Sequence, residues 1–178
     1  MTQLDEYWNK FLTKEGLPPE TKCAGDLFFE AKGFVSDQMN ALVISGQKTA
    51  FFSSYATFAI DEEPLPVSGE LYIVVDRANN PLCVIELESV NIIPFNEVTW
   101  EMAQKEGEDE NLEAWKEKKQ EYLEDEGAVL GFEFAPDIKL VYQTFKVVYK
   151  WRKKKWERQT TFHWEDFFCR LQLEQCSQ

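Results

Sequence analysis

Two apolar segments, Leu71 to Val75 and Leu82 to Val90, flank Arg77-Ala-Asn-Asn-Pro81, and this arrangement constrains the fold more than any other feature of the chain. Asn tolerates a left-handed backbone and Pro fixes its own φ, so the intervening residues make a turn. The second segment sets Leu82, Val84 and Ile85 against Glu86 and Glu88, as a half-buried hairpin strand does. Ile138 to Lys150 has the alternating character of a long strand, and residues 47–60 are rich in strand formers before the breaks at Pro64 and Pro66. Helical patterns fall between these strands without β-α-β alternation, which argues against a doubly wound nucleotide fold. The expected class is α+β, built around a small barrel.

The helices are read from apolar spacing and end signals. Leu4, Tyr7, Trp8, Phe11 and Leu12 recur at helical intervals, and Gly16 with Pro18-Pro19 closes that helix. Residues 36–45 form a second helix, with Ser36 or Asp37 as cap, Met39, Leu42 and Val43 on one face, and Gly46 at the end. Asn96 is expected to cap a short helix carrying Val98, Trp100, Met102 and Ala103, which Gly107 stops. Asp109 or Asn111 then starts a charged helix to about Glu126, with Leu112, Trp115 and Tyr122 as its buried stripe.

Charge and composition exclude several functions. The chain has 178 residues, enough for one domain with an appendage, and a net charge of −13. A general nucleic-acid coat protein needs a basic face, so that class is disfavoured, although a small pocket with one or two cations is not. One histidine, His163, makes a His-based triad or multi-His metal site improbable in the main body. Cys23, Cys83, Cys169 and Cys176 form no C-x-x-C pair and read as reduced thiols, with Cys83 buried in its strand. No metal or cofactor is expected. Met1 to Lys10 are polar and acidic, without a secretory apolar core, and no apolar run reaches membrane-spanning length, so a cytoplasmic location without membrane contact is expected.

Several motifs, in order, resemble the ASCH domain family, a branch of the PUA-like barrels. Leu42-Val-Ile-Ser-Gly46-Gln-Lys48-Thr49-Ala is similar to its helix, Gly-x-Lys-Thr and strand passage. Glu63-Pro-Leu-Pro-Val-Ser-Gly69, Asn80-Pro-Leu-Cys-Val-Ile-Glu86 and Ile93-Pro-Phe95-Asn-Glu-Val98 match the segments that follow. Glu106-Gly-Glu108 with Leu112-Glu-Ala-Trp115 resembles its acidic motif, and Phe145-Lys-Val-Val-Tyr149 its closing strand, so that the match spans about residues 28–149. The resemblance implies an open PUA-like β-barrel with flanking helices and a cleft beside the Gly-x-Lys-Thr helix end. It also implies recognition of RNA or modified nucleosides, while some members resemble hydrolases of acylated pyrimidine nucleosides and RNA cleavage has been proposed for others. In the hydrolase-like members a Lys, a Thr three residues later and a distal Glu form the constellation. The Lys carries over to Lys48 and the Glu to Glu108. Phe51 stands at the Thr position, and Ser53 or Thr49 would have to substitute for it.

Each candidate also has an ordinary structural role. Gly46-Gln-Lys48-Thr49 lacks the Walker A spacing, so it is not a P-loop. Lys48 is either a surface lysine on an edge strand or a cation at a cleft mouth, and the resemblance favours the cleft. Glu108 either pairs with Lys48 or, with Glu106, Asp109 and Glu110, serves the dipole of the following helix; a hard-cation site is a further option, although EF-hand spacing is absent. Trp100 and Trp115 are better placed for core packing than for stacking on a base. Phe51 and Tyr55 lie on the strand after Lys48, so one of them would face the cleft. The candidate ligand-binding residues are Lys48, Thr49, Phe51, Ser53, Tyr55, Glu108 and Trp115, with Lys48 and Glu108 as the candidate catalytic pair. The expected ligand is a nucleoside, nucleotide or short RNA feature; the alternative function is hydrolysis of an acylated pyrimidine nucleoside.

Three regions follow. Residues 1–27 are a helical segment packing on the domain, residues 28–150 are the PUA-like domain, and residues 151–178 are a basic and aromatic C-terminal extension. Acids outnumber bases by 28 to 13 in residues 1–150, whereas bases outnumber acids by 6 to 4 beyond them. Trp151-Arg-Lys-Lys-Lys-Trp156 interleaves bases with aromatics, and Trp164, Phe167, Phe168 and Leu171 share a helical face. Docking on the barrel or on a second chain is the expected role, which makes a homodimer contact through this extension an expectation.

Overall fold

A computed structural model describes residues 2–29 and 36–150. The basic extension at 151–178, its expected helix and its dimer contact lie outside the described residues.

The sheet has five strands: β1 (Gly25–Leu27), β2 (Ala50–Ser54), β3 (Leu71–Val75), β4 (Pro81–Pro94) and β5 (Lys139–Lys150). Their order across the sheet is β1-β3-β4-β5-β2, with β1 parallel to β3 and every other pairing antiparallel. The expected hairpin is β3–β4, turned at Asp76, whose carboxylate accepts from the Ala78 and Asn80 amides. Register shifts at Val84/Ile85 and Leu87/Ser89 bend β4 against β5. Such bulges increase local twist, and here they curl the sheet into a half-barrel. The architecture is α+β and PUA-like, with helices flanking the open barrel. The sheet begins at Gly25, slightly ahead of residue 28.

Three apolar clusters cover its surfaces. Helix α1 (Gln3–Glu15) is fixed at its start by a Thr2–Asp5 capping box and ended by left-handed Gly16. It lays Tyr7, Phe11 and Leu12 on Ile73, Val75 and Val84. Helix α2 (Ser36–Ser45) supplies Met39 and Val43 to a second cluster with Phe29, Val74, Ile85 and Phe145. The third gathers Phe52, Phe95, Trp115, Leu123, Leu140 and Tyr142 under α5 (Leu112–Leu130).

Several local expectations are corrected. The strand expected over 47–60 ends at Ser54, and α3 (Tyr55–Ile60) follows. Ser54 pairs with Leu140 near the start of β5, so β2 runs out of partner there. The Ser54 hydroxyl then caps α3 by accepting from the Ala56 amide. Asn96 does not cap a helix: it sits within a 3-10 turn, Phe95–Glu97, and α4 (Trp100–Ala103) begins after Thr99. Asn111, rather than Asp109, caps α5, accepting from the Ala114 amide. That helix runs past Glu126 to Leu130 and ends at left-handed Gly131. Its buried residues are Trp115, Leu123 and Gly127, whereas Tyr122 is 44% exposed. Among the described residues, no helix is long and apolar enough to cross a membrane.

Candidate functional site

Lys48 lies between the end of α2 and the start of β2, on a backbone fixed from both sides. Gly46 takes a left-handed φ of 82°, and the Gln47 and Lys48 amides both donate back to the Leu42 carbonyl at 3.0 Å. The Thr49 amide donates to the Lys105 carbonyl at 2.8 Å, and the Thr49 carbonyl accepts from Phe145 at 2.9 Å. This ties the lysine segment to the acidic segment nearly sixty residues later.

The acidic segment turns at Gly107, where φ is +75°, and a Cβ there would lie 3.0 Å from the Gln47 carbonyl oxygen. Both the left-handed backbone and the close approach require glycine. The turn brings Glu106 and Glu108 to the same lysine. Lys48 is only 1% exposed, and its Nζ donates to Glu108 Oε1 at 2.6 Å and to the Glu106 carbonyl at 3.5 Å. The Glu106 carboxylate stands 3.7 Å away.

Glu106 is the more deeply bound carboxylate. It accepts from the Phe52 amide at 3.2 Å and the Trp115 indole at 2.6 Å, and Lys119 reaches it at 3.2 Å. Burial pushes its pKa up, but Lys119, Lys48 and the Trp115 hydrogen bond outweigh that penalty and hold it below the ordinary carboxylate range. The Lys119 ammonium lies over the rings of Trp115, Phe52 and Tyr122, at 5.5, 5.8 and 5.8 Å.

These groups line a cleft of about 160 Å³ at the outer edge of β2. Phe28, Phe29, Met39, Phe51 and Phe52 form its apolar wall, and Trp115 and Tyr122 of α5 face them. Lys48, Lys118 and Lys119 balance Glu106, Glu108 and Asp109, so the lining has no net charge. Asp109 pairs with Lys118 at the exposed side. Tyr122 keeps its proton: burial and Glu126 push its pKa up to about 12.

The candidate residues divide by location. Lys48, Glu108, Phe51 and Trp115 line the cleft, although Trp115 is buried and spends its indole N–H on Glu106. Thr49 acts through its backbone, Ser53 accepts from the Gln143 amide nitrogen at 3.2 Å, and Tyr55 heads α3 with Lys139 over its ring at 5.7 Å; none of the three lines the cleft. Trp100 packs against the α5 cluster. Cys83 is fully buried and its pKa is pushed up to about 12 by desolvation, so it is not a ready nucleophile. Among the described residues, no group of three or more His, Cys, Asp or Glu side chains is placed to hold a metal ion.

The sequence assigns Lys119, Phe28, Phe29 and Met39 no role in the site, and names Glu106 only within the acidic cluster. Lys119 carried a usable signal, since it follows Trp115 by four residues and shares its helix face. Nothing in the order of residues separates Glu106 from the acids beside it.

Known proteins share this fold. The model of the ASCH domain family matches residues 26–149. The crystal structure of protein EF3133 from Enterococcus faecalis V583 is similar at 32% identity, over 85% of this chain and 91% of that one, with a TM-score of 0.76. An ASCH domain from Lactobacillus crispatus JV V101 is similar at 28% identity, over 83% of this chain and 94% of that one, with a TM-score of 0.75. No protein of curated function matches the sequence.

Proposed function

This chain belongs to the ASCH domain family, and on that premise we propose that its cleft binds an uncharged nucleobase or nucleoside, alone or within a short RNA feature, through Lys48 and Glu108. The observation that carries the reading is the Lys48–Glu108 contact at 2.6 Å inside an aromatic-walled, charge-balanced cleft. A buried ammonium beside a carboxylate offers a donor and an acceptor together, while Phe28, Phe51 and Tyr122 offer flat surfaces for a planar ring. The balanced lining and the acidic chain argue against a ligand held mainly by phosphates.

Calorimetric titration with uridine, cytidine, uridine monophosphate and short single-stranded RNA tests this. Binding of the bare nucleosides is expected, with Glu108→Gln and Lys48→Met each weakening it by about tenfold or more. Adding a phosphate is expected to change affinity little, and raising salt to leave nucleoside affinity nearly flat. Affinity that appears only with RNA and falls steeply with salt would replace the pocket reading with backbone binding.

The same 2.6 Å contact favours a second reading, hydrolysis of an acylated pyrimidine nucleoside. Lys48 would polarise the acyl carbonyl while Glu108 takes a proton from the attacking water. Glu108 then returns the proton to the leaving nitrogen as the carbon–nitrogen bond breaks, releasing the carboxylic acid and the free amine. Phe51 supplies no hydroxyl to this scheme. Liquid chromatography of products from a panel of acylated nucleosides decides the matter: turnover that Glu108→Gln abolishes supports the hydrolase, and none across the panel leaves binding.

A further inference from the structure

Hydrogen-bonding capacity in the cleft is unevenly spent. A carboxylate offers about four lone-pair sites and an ammonium three donors. Glu106 uses all of its own: Oε1 takes the Phe52 amide at 3.2 Å and Lys119 at 3.4 Å, and Oε2 takes Trp115 at 2.6 Å with Lys119 again at 3.2 Å. Asp109 uses one oxygen on Lys118, whose ammonium is exposed. The pair whose ammonium is buried is Lys48–Glu108. Lys48 commits one donor to Glu108 Oε1 and a longer one to a backbone carbonyl, with the Glu106 carboxylate 3.7 Å away, and among the described residues the second oxygen of Glu108 takes no hydrogen bond. A donor and an acceptor therefore stand side by side in the buried part of the cleft. Phe28 and Tyr122, 40% and 44% exposed, form its rim.

We propose that the occupant is an unpaired nucleobase that enters with its Watson–Crick edge first. This rests on the reading of the cleft as a nucleobase site, and adds the orientation and the selection rule. That edge carries a hydrogen-bond donor and an acceptor on neighbouring atoms, the complement of Glu108 and Lys48. The aromatic rim then covers the ring faces, and the sugar and any phosphate stay outside, where the lining offers no excess positive charge. A base already paired in a duplex has spent this edge and is excluded, as is a base methylated on it.

Calorimetric titration of the full chain with uridine, 3-methyluridine and 2′-O-methyluridine tests the orientation. Each modified nucleoside adds one methyl group, the first on the Watson–Crick edge and the second on the sugar. The 2′-O-methyl compound is expected to bind within about threefold of uridine, and 3-methyluridine at least about tenfold more weakly, because its methyl group leaves the Glu108 oxygen unpaired. Glu108→Gln is expected to shrink that gap to about threefold, since an amide both donates and accepts. Equal affinity for all three compounds overturns the edge-first entry and leaves the cleft a nucleobase site. Rejection of the sugar-methylated compound alone overturns it in favour of sugar-first entry. A wide gap that persists in Glu108→Gln overturns the assignment of the acceptor. Failure of all three to bind removes the nucleobase reading itself, and the orientation with it.

Discussion

Two buried regions on the same sheet are built from opposite chemistry. Under α1, Tyr7, Phe11 and Leu12 meet Ile73, Val75 and Val84, and Tyr149 takes Tyr7 edge-on at 5.4 Å and Phe11 at a tilt at 5.6 Å. At the edge of β2, Lys48 and Glu106 are just as buried, at 1% and 5% exposure, but they are ions. The first region is stabilised by apolar area removed from water, roughly in proportion to that area. The second desolvates charges, and each ion is tolerable only while its partners are in place. Losing a packed ring leaves a cavity; losing one member of a buried ionic set leaves its partners charged and unpaired. That difference separates the part of the chain that secures the fold from the part poised for a ligand.

The largest expected effect tests the apolar side. Phe11→Ala should cost about 4 kcal/mol, the usual size for an aromatic cavity in a core. Its urea midpoint should drop while nucleoside affinity stays near wild type at temperatures where the variant is folded. A matching loss of affinity would show that the two regions are coupled.

Glu106→Gln should come next, at about 3 kcal/mol, because an amide cannot accept from the Phe52 amide, the Trp115 indole and Lys119 together. Here binding should fall with stability, since Lys48 and Lys119 lose their shared anchor. Acid sharpens the same point. The pKa of Glu106 is lowered in the folded chain, so its contribution is whole above the ordinary value of 4.5 and is lost as pH falls through the lower folded value. Thermal unfolding followed from pH 6 downward should show the wild type losing stability below about pH 4.5, with a flatter profile for Glu106→Gln.

Gly107→Ala should have the smallest effect on stability, about 2 kcal/mol, from a left-handed backbone and a Cβ pressed on the Gln47 carbonyl. Because that carbonyl adjoins Lys48, the substitution should weaken ligand binding more than Phe11→Ala does. Equal affinity in the two variants, measured by titration, would show that the turn does not set the position of the lysine.

Much of the apolar region was legible in the order of residues. Tyr7, Phe11 and Leu12 announce a helix by their spacing, and Gly16 ends it. The β3–β4 hairpin follows from two apolar runs around Asn-Asn-Pro. These signals are local, so the chain states them within a few residues. The 47–60 segment reads as a strand throughout because its residues suit one, and only the length of β5 determines where pairing stops. Lys48 and Glu108 were legible through the family motif, and their 2.6 Å contact is the structure's addition.

What the sequence determined by itself, then, is what repeats along it: the periodic apolar faces, the turns, the α+β class and the two segments that carry the motif. What the tertiary structure alone decided is which charge is buried against which. Glu106 and Glu108 are separated by a single glycine and have the same side chain, yet one is saturated by Phe52, Trp115 and Lys119, and the other keeps an oxygen to spare. The fate of a charge depends on the donors brought around it and on the water removed from it, and both are set by residues distant in the chain.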